Sequence, residues 1–483
     1  MPDTTMTWAS VAPAIGEMFL TFAICAVLLI DVFTGDKRRG LTGTLTLVAL
    51  AITAALIVGV GAVGSRVVLF SGLYVADPVA VVLKLAALLF VAIVLMYSRS
   101  YMTQRGTARG EYYVLALTAL LGIFVLASAN SLLTVYIGVE LLALSVYAMV
   151  AFDRDNGIAA EAAMKYFVLG AIASGMLLYG MSIIYGITGT LGLDELAMRL
   201  GPTHSAGAVL GLTFVVVAVA FKLGAVPFHM WLPDVYEGAP TNVTMFIATA
   251  PKIAYFALAL RLLTHGLIGT EHEWSQMLGA LAVLTLILGN VVAIAQTNIK
   301  RLLAYSAIGN VGFIVLGFTT GTQAGYGAAL FFTLAYVLAT LASFGVILLL
   351  TQKGFEADRL DDYNGLWSRD PMLAMVMMAS MFSTAGVPPF LGFAAKLSIL
   401  TQLWATGHIW LVIIAVLVSV IGVFYYLRIV KRMYVDPPAA GQPVPVWQPG
   451  VRVAVGVNGL ILLVLGVLPS ALLSLCARLL SAP

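Results

Sequence analysis

The chain has 483 residues, of which 61% are hydrophobic and 10% charged, with a formal net charge of +3 and a mean hydropathy of +1.03. A soluble domain carries about 25% charged residues, so this is an integral membrane protein. No sizeable soluble domain fits between its apolar stretches, and the scattered basic residues exclude a nucleic-acid binder.

Apolar windows long enough to cross a bilayer fall near 9–31, 41–62, 78–98, 112–128, 130–151, 161–186, 206–234, 241–262, 275–296, 301–319, 323–350, 371–405, 409–430 and 453–475. The pattern predicts an all-α polytopic protein with about fourteen transmembrane helices and a single membrane domain. The first window lacks the basic flank of a cleaved signal peptide and is expected to persist as a helix. The seventh and twelfth windows are unusually long and carry Pro227 and Pro388-Pro389 in their middles. Proline removes a backbone donor and breaks a helix. In lipid, the freed groups must be satisfied by protein or by a wet cavity.

Cys25 and Cys476 lie near opposite ends of the chain, and His204, His229, His265, His272 and His408 are isolated. Iron–sulfur and zinc sites need clustered ligands, and no glycine-rich phosphate loop is present. The chain is therefore expected to bind no cofactor and no metal of its own.

Basic residues outside the windows divide unevenly. Lys37, Arg38, Arg39, Arg99, Arg105, Arg109, Arg154, Lys300, Arg301, Lys353, Arg359, Arg369, Arg428, Lys431, Arg432 and Arg452 fall on one side. Arg66, Arg199, Arg261 and Arg478 fall on the other. The positive-inside rule makes the first side cytoplasmic and both termini periplasmic. The remaining basic residues, Lys84, Lys165, Lys222, Lys252 and Lys396, are all lysines inside windows, and every arginine is expected to lie outside. A desolvated lysine can lose its proton, whereas arginine cannot. Charge inside a span is costly and marks ion pathways.

The seventh window reads FKLGAVPFHMWLPD over 221–234 and the twelfth FSTAGVPPFLGFAAKL over 382–397. Both place Gly, Pro and Phe in the same order beside a buried lysine, and an odd number of crossings separates them. This is the signature of inverted repeats with broken helices at the transport site. Two inverted five-helix repeats are expected, at 111–262 and 275–432, preceded by helices in 1–110 and followed by a last helix in 433–483.

Lys252 sits mid-window in TAPKIAYFALAL, too deep to snorkel. Lys222 precedes one break and Lys396 follows the other. Glu140, in GVELLALSVY, is the expected carboxylate partner of one of these lysines. Its approach raises a lysine's proton affinity and its withdrawal lowers it, although a static buried pair is the plain alternative. Lys165 is spaced to pair with Glu161 on one helix face. Lys84 is expected to snorkel outward past Asp77, and Glu17 carries no assigned role. His229, after the first break, suits proton passage near neutral pH as well as a structural hydrogen bond. Tyr305, Ser306, Asn310, Thr333, Tyr336 and Ser343 can anchor waters or simply pack helices.

The segments GVELLALSVY, EAAMKYFVLG, FKLGAVPFHMWLPDVYEGAPT, TNIKRLLAYSAIGNVG and GVPPFLGFAAKL resemble, in order and across nearly the whole chain, subunit N of bacterial proton-pumping NADH:quinone oxidoreductase, respiratory complex I. That family belongs to a wider antiporter-like group containing subunits L and M and Mrp-type antiporter subunits. The resemblance implies that Glu140 modulates Lys222, that Lys165 bridges those two, that Lys252 is the central relay and that Lys396 passes protons outward. It implies NADH, FMN, iron–sulfur clusters and quinone in other subunits. It also implies subunit M and small membrane-arm subunits as partners in the bacterial inner membrane. The competing readings are a self-sufficient cation/proton antiporter and a passive scaffold with static ion pairs.

Overall fold

The computed structural model describes residues 11–34, 39–61, 64–200, 205–438 and 448–481. Lys37, Arg38 and His204 lie outside the described residues. Three leading helices, α1 (Ile15–Thr34), α2 (Arg39–Leu56) and α3 (Pro78–Arg105), precede the repeats. The first repeat comprises α4 (Gly110–Ala127), α5 (Leu132–Val150), α6 (Gly157–Thr188), the halves α7 (Ala206–Leu223) and α8 (Trp231–Gly238), and α9 (Thr241–Ala259). The second comprises α10 (Glu271–Ile294), α11 (Ile299–Thr319), α12 (Gln323–Leu350), the halves α13 (Pro371–Ala385) and α14 (Leu391–Ala405), and α15 (Ile409–Tyr434). Among the described residues, 13 helices are long and apolar enough to cross a membrane. The twelfth span is split into two shorter helices by its prolines.

Three features depart from the expectation. The last window ends at Val467 in α16 (Pro449–Val467), and Pro469 starts a separate helix, α17 (Ser470–Ser481). A small antiparallel hairpin, β1 (Val67–Leu69) with β2 (Tyr74–Ala76), joins α2 to α3. The eighth span continues past α9 as a π-helical turn over Leu260–Gly266.

Small residues set how closely the helices approach. A Cβ added at Gly122 would lie 2.6 Å from the Leu142 nitrogen, and one at Gly289 would strike the Gly309 backbone. The first two helices of each repeat thus touch through glycine, which gives packing where lipid supplies no hydrophobic drive.

Charges gather at two ends. At one end Arg105 meets Glu356, Arg432 meets Asp361, and Arg301 binds Asp234 and Glu237, each at 2.9 Å. At the other, Arg66 binds Asp194 at 2.6 Å, and Asn130 donates to the same carboxylate at 3.0 Å. Partial burial pushes the Asp194 carboxyl up, but these hydrogen bonds and the Arg66 charge outweigh it and hold the group below its usual range.

Two assignments from the sequence are corrected here. Arg261 is not in a solvated loop. It is 1% exposed, forks onto Asp77 at 2.7 and 2.9 Å, and donates to the Ala127 carbonyl. Lys84 does not snorkel: it is buried, paired with Glu17 at 2.5 Å, and donates to the Tyr74 hydroxyl at 2.9 Å. In both cases an opposite charge on another helix, close in space, replaces the water that solvation would have offered. Replacing Arg261 with Met strands the Asp77 carboxylate and is expected to cost about 3–5 kcal/mol, read as a lowered melting temperature and less assembled protein. The double change Arg261→Met with Asp77→Leu should recover most of that loss.

Candidate functional site

Each broken span ends its first half in the same way. Gly224 (φ 85°) donates to the Ala220 and Phe221 carbonyls, and Ala225 donates to Ala220 at 2.8 Å. Gly386 (φ 85°) donates to Phe382 and Ser383, and Val387 donates to Phe382 at 2.9 Å. Only glycine reaches this left-handed conformation without strain, and the resulting cap satisfies the earlier carbonyls of the last turn. It leaves the carbonyl just before each glycine, on Leu223 and on Ala385, facing into protein without a helical partner.

Lysines take both positions. Lys252 of α9 donates to the Leu223 carbonyl at 2.9 Å, and Lys396 of α14 donates to the Ala385 carbonyl at 2.9 Å. The C-terminal end of a half-helix carries partial negative charge, so each site suits an ammonium. The first lysine arrives from the following helix and the second from the other half of its own span. The shared Gly–Pro motif identifies the two breaks but not this difference in how they are filled.

Lys222 is 3% exposed, and its ammonium donates to the Ser174 hydroxyl on α6 at 3.3 Å. Glu140 is not in ion-pair contact with it, and the Glu140 Oε1 is shielded without a hydrogen-bond partner. The expected carboxylate and the expected lysine therefore form no direct pair. Ser174 gives no sequence signal, because nothing distinguishes it from other helical serines. The same is true of Tyr147 and Tyr166, whose rings meet at 4.6 Å while Tyr166 stacks on Trp231 at 4.4 Å.

Lys165 does not bridge Glu140 and Lys222. It is bound at 2.9 Å to both Glu161 and Asp234, with its side chain 44% exposed. Asp234 also receives Arg301, so an ion network joins α6 and α8 of the first repeat to α11 of the second. Its long side chain reaches the wet end of the helix, where its charge is cheaper. Lys300 shows the reverse. Expected in a loop, it is 5% exposed and donates to the Ala239 carbonyl at 3.0 Å. His229 is half-buried on the first break, and its carbonyl accepts from Leu232 at 2.9 Å. Thr333 and Ser343 bond carbonyls of their own helix, and Tyr305 lies against the Arg301 guanidinium.

The transmembrane model of NADH:quinone oxidoreductase and Mrp antiporter proteins matches residues 129–422. NADH-quinone oxidoreductase subunit N of Thiobacillus denitrificans is 52% identical over 482 residues, 99% of this chain and 98% of that protein. A chain of respiratory complex I from Thermus thermophilus with bound aureothin superposes with a TM-score of 0.82 at 33% identity, over 96% of this chain and 99% of that one. A chain of the Mrp complex from Dietzia sp. DQ12-45-1b gives 0.83 at 22% identity, over 99% and 97%, a likeness of fold alone. With near-complete alignment at this identity, and with the two matched breaks in place, the chain belongs to the NADH-quinone oxidoreductase subunit N family within the antiporter-like membrane proteins.

Proposed function

We propose that this chain carries protons across the membrane in the membrane arm of an NADH:quinone oxidoreductase, driven by electron transfer in other subunits. The observation that carries the reading is the pair of equivalent half-helix ends, each holding a lysine ammonium on its unpaired carbonyl. Lys222 and Glu140 begin the row. When the carboxylate's influence on Lys222 strengthens, the ammonium form is favoured, and when it weakens the amine form is favoured. A proton leaving Lys222 is taken by the free amine of Lys252, and one leaving Lys252 by the free amine of Lys396. Each step breaks one N–H bond and forms another, so charge moves while no net bond is made. Release from Lys396 is outward, away from the side rich in basic loops.

That basic side is read as cytoplasmic and both termini as periplasmic, in a bacterial inner membrane. Subunit M and the small membrane-arm subunits are the neighbours proposed. NADH, FMN, the iron–sulfur clusters and quinone are assigned to the rest of the complex, since Cys25 and Cys476 are the only two cysteines and lie far apart in sequence. Lys165 is assigned to the ion network at the entrance, and His229 to a supporting place on the break.

Substitution of Lys222 or Glu140 by Ala is expected to slow proton transfer through this subunit on the order of 100-fold, seen as fewer protons pumped per NADH by membrane vesicles. Wild-type pumping in both variants overturns the roles. Lys252→Arg separates relay from staple. Arginine still offers charged donors to the Leu223 carbonyl but cannot release a proton, so a relay loses pumping while a staple keeps it. The alternative, a self-sufficient Mrp-type cation/proton antiporter, draws on the shared fold. It requires the purified chain to exchange sodium for protons in liposomes, and no exchange is expected.

A further inference from the structure

Serine and threonine inside these helices generally bond the carbonyl one turn back, as Thr249, Thr285, Thr333 and Thr340 do. Ser306 does not. Its hydroxyl turns to another helix and meets the Tyr426 hydroxyl of α15 at 2.5 Å. Asn310, one turn deeper on α11, donates to the Ser306 carbonyl at 2.8 Å and lies 3.3 Å from the same Tyr426 oxygen. All three are buried, at 2%, 4% and 2% exposure for Ser306, Asn310 and Tyr426.

The pair on α11 points somewhere. Ser306, Asn310 and Phe313 fall at helical spacing on one face, and the Lys396 ammonium sits 4.9 Å from the centre of the Phe313 ring. Between Asn310 and the second break is a cavity of about 10 Å³, lined by Tyr336, Ser383 and Thr384 among others, which is about the space one water needs. At the opposite end, Tyr426 is close in sequence to Arg428, whose guanidinium donates to the Ile294 and Gln296 carbonyls where α10 ends. Tyr426 and Ser306 therefore form a buried hydroxyl pair on the halves of α15 and α11 nearer the basic side, and Asn310 extends it to the cavity at the second break, away from Lys222 and Lys252.

We propose that Tyr426 and Ser306 load protons onto Lys396 from the basic side, as a second entrance that Asn310 holds in place. The idea rests on Lys396 being a relay lysine. In each transfer a hydroxyl oxygen accepts one proton and releases its own, from Tyr426 to Ser306 to a water in the cavity. That water's proton forms the new N–H bond on the free Lys396 amine. Asn310 carries no proton; its amide positions the two hydroxyls and the water.

The test is protons pumped per NADH, counted per assembled complex in membrane vesicles. Tyr426→Phe and Ser306→Ala should each lower the ratio partially, and Ser306→Thr, which keeps a hydroxyl, should restore it. Tyr363→Phe removes a buried tyrosine hydroxyl that bonds the Ala357 carbonyl, away from this cluster, and should leave the ratio unchanged. Lys252→Arg with Tyr426→Phe should fall to the level of Lys396→Ala, because both entrances are then closed. If Tyr426→Phe changes only the amount of assembled complex and not its ratio, while Lys396→Ala lowers the ratio, the second entrance is wrong and the relay stands. If the double variant is no lower than Lys252→Arg alone, the entrance is again wrong. A normal ratio in Lys396→Ala sinks the relay and the entrance together.

Discussion

A helix interrupted in the middle of a membrane leaves a carbonyl without its helical partner, and that carbonyl must find a donor. Everything distinctive in this protein follows from how the demand is met. A neutral donor such as serine would satisfy the oxygen and do no more. A lysine satisfies it and places a titratable group at the same point, held by the end of a helix dipole. In the relay proposed above, the structural solution and the means of moving charge are one contact, made at Leu223 by Lys252 and at Ala385 by Lys396.

Other buried charges in the molecule are held differently. Arg261 with Asp77, and Lys84 with Glu17, are close opposite-charge contacts with further hydrogen bonds around them. Such pairs are costly to split and hold α3 against its neighbours. Lys222, by comparison, has a serine hydroxyl as its hydrogen-bond partner and no ion pair. A loosely held ammonium is the kind that changes state.

Much of this was readable in the chain itself. Hydropathy located the spans because a bilayer imposes a minimum apolar length, and the breaks were visible because Gly224, Pro227, Gly386 and Pro389 have few other uses inside a membrane helix. What could not be read were contacts between distant segments. Arg261 and Asp77 stand 184 residues apart, and an arginine at the edge of an apolar stretch looks like a loop residue until its partner is seen. Lys300 left its expected loop for a buried site for a similar reason: window edges do not say which way a long side chain leans. Ser306 was weighed as a packing residue, since only the helix opposite reveals that its hydroxyl faces Tyr426.

The unequal origin of the two lysines bears on how the chain enters the bilayer during synthesis. The second interrupted span carries the donor for its own broken end. The first does not, because its donor resides on a helix that the ribosome delivers later. The leading break is therefore completed only once α9 has joined α7 and α8, whereas the trailing break is completed within its own span.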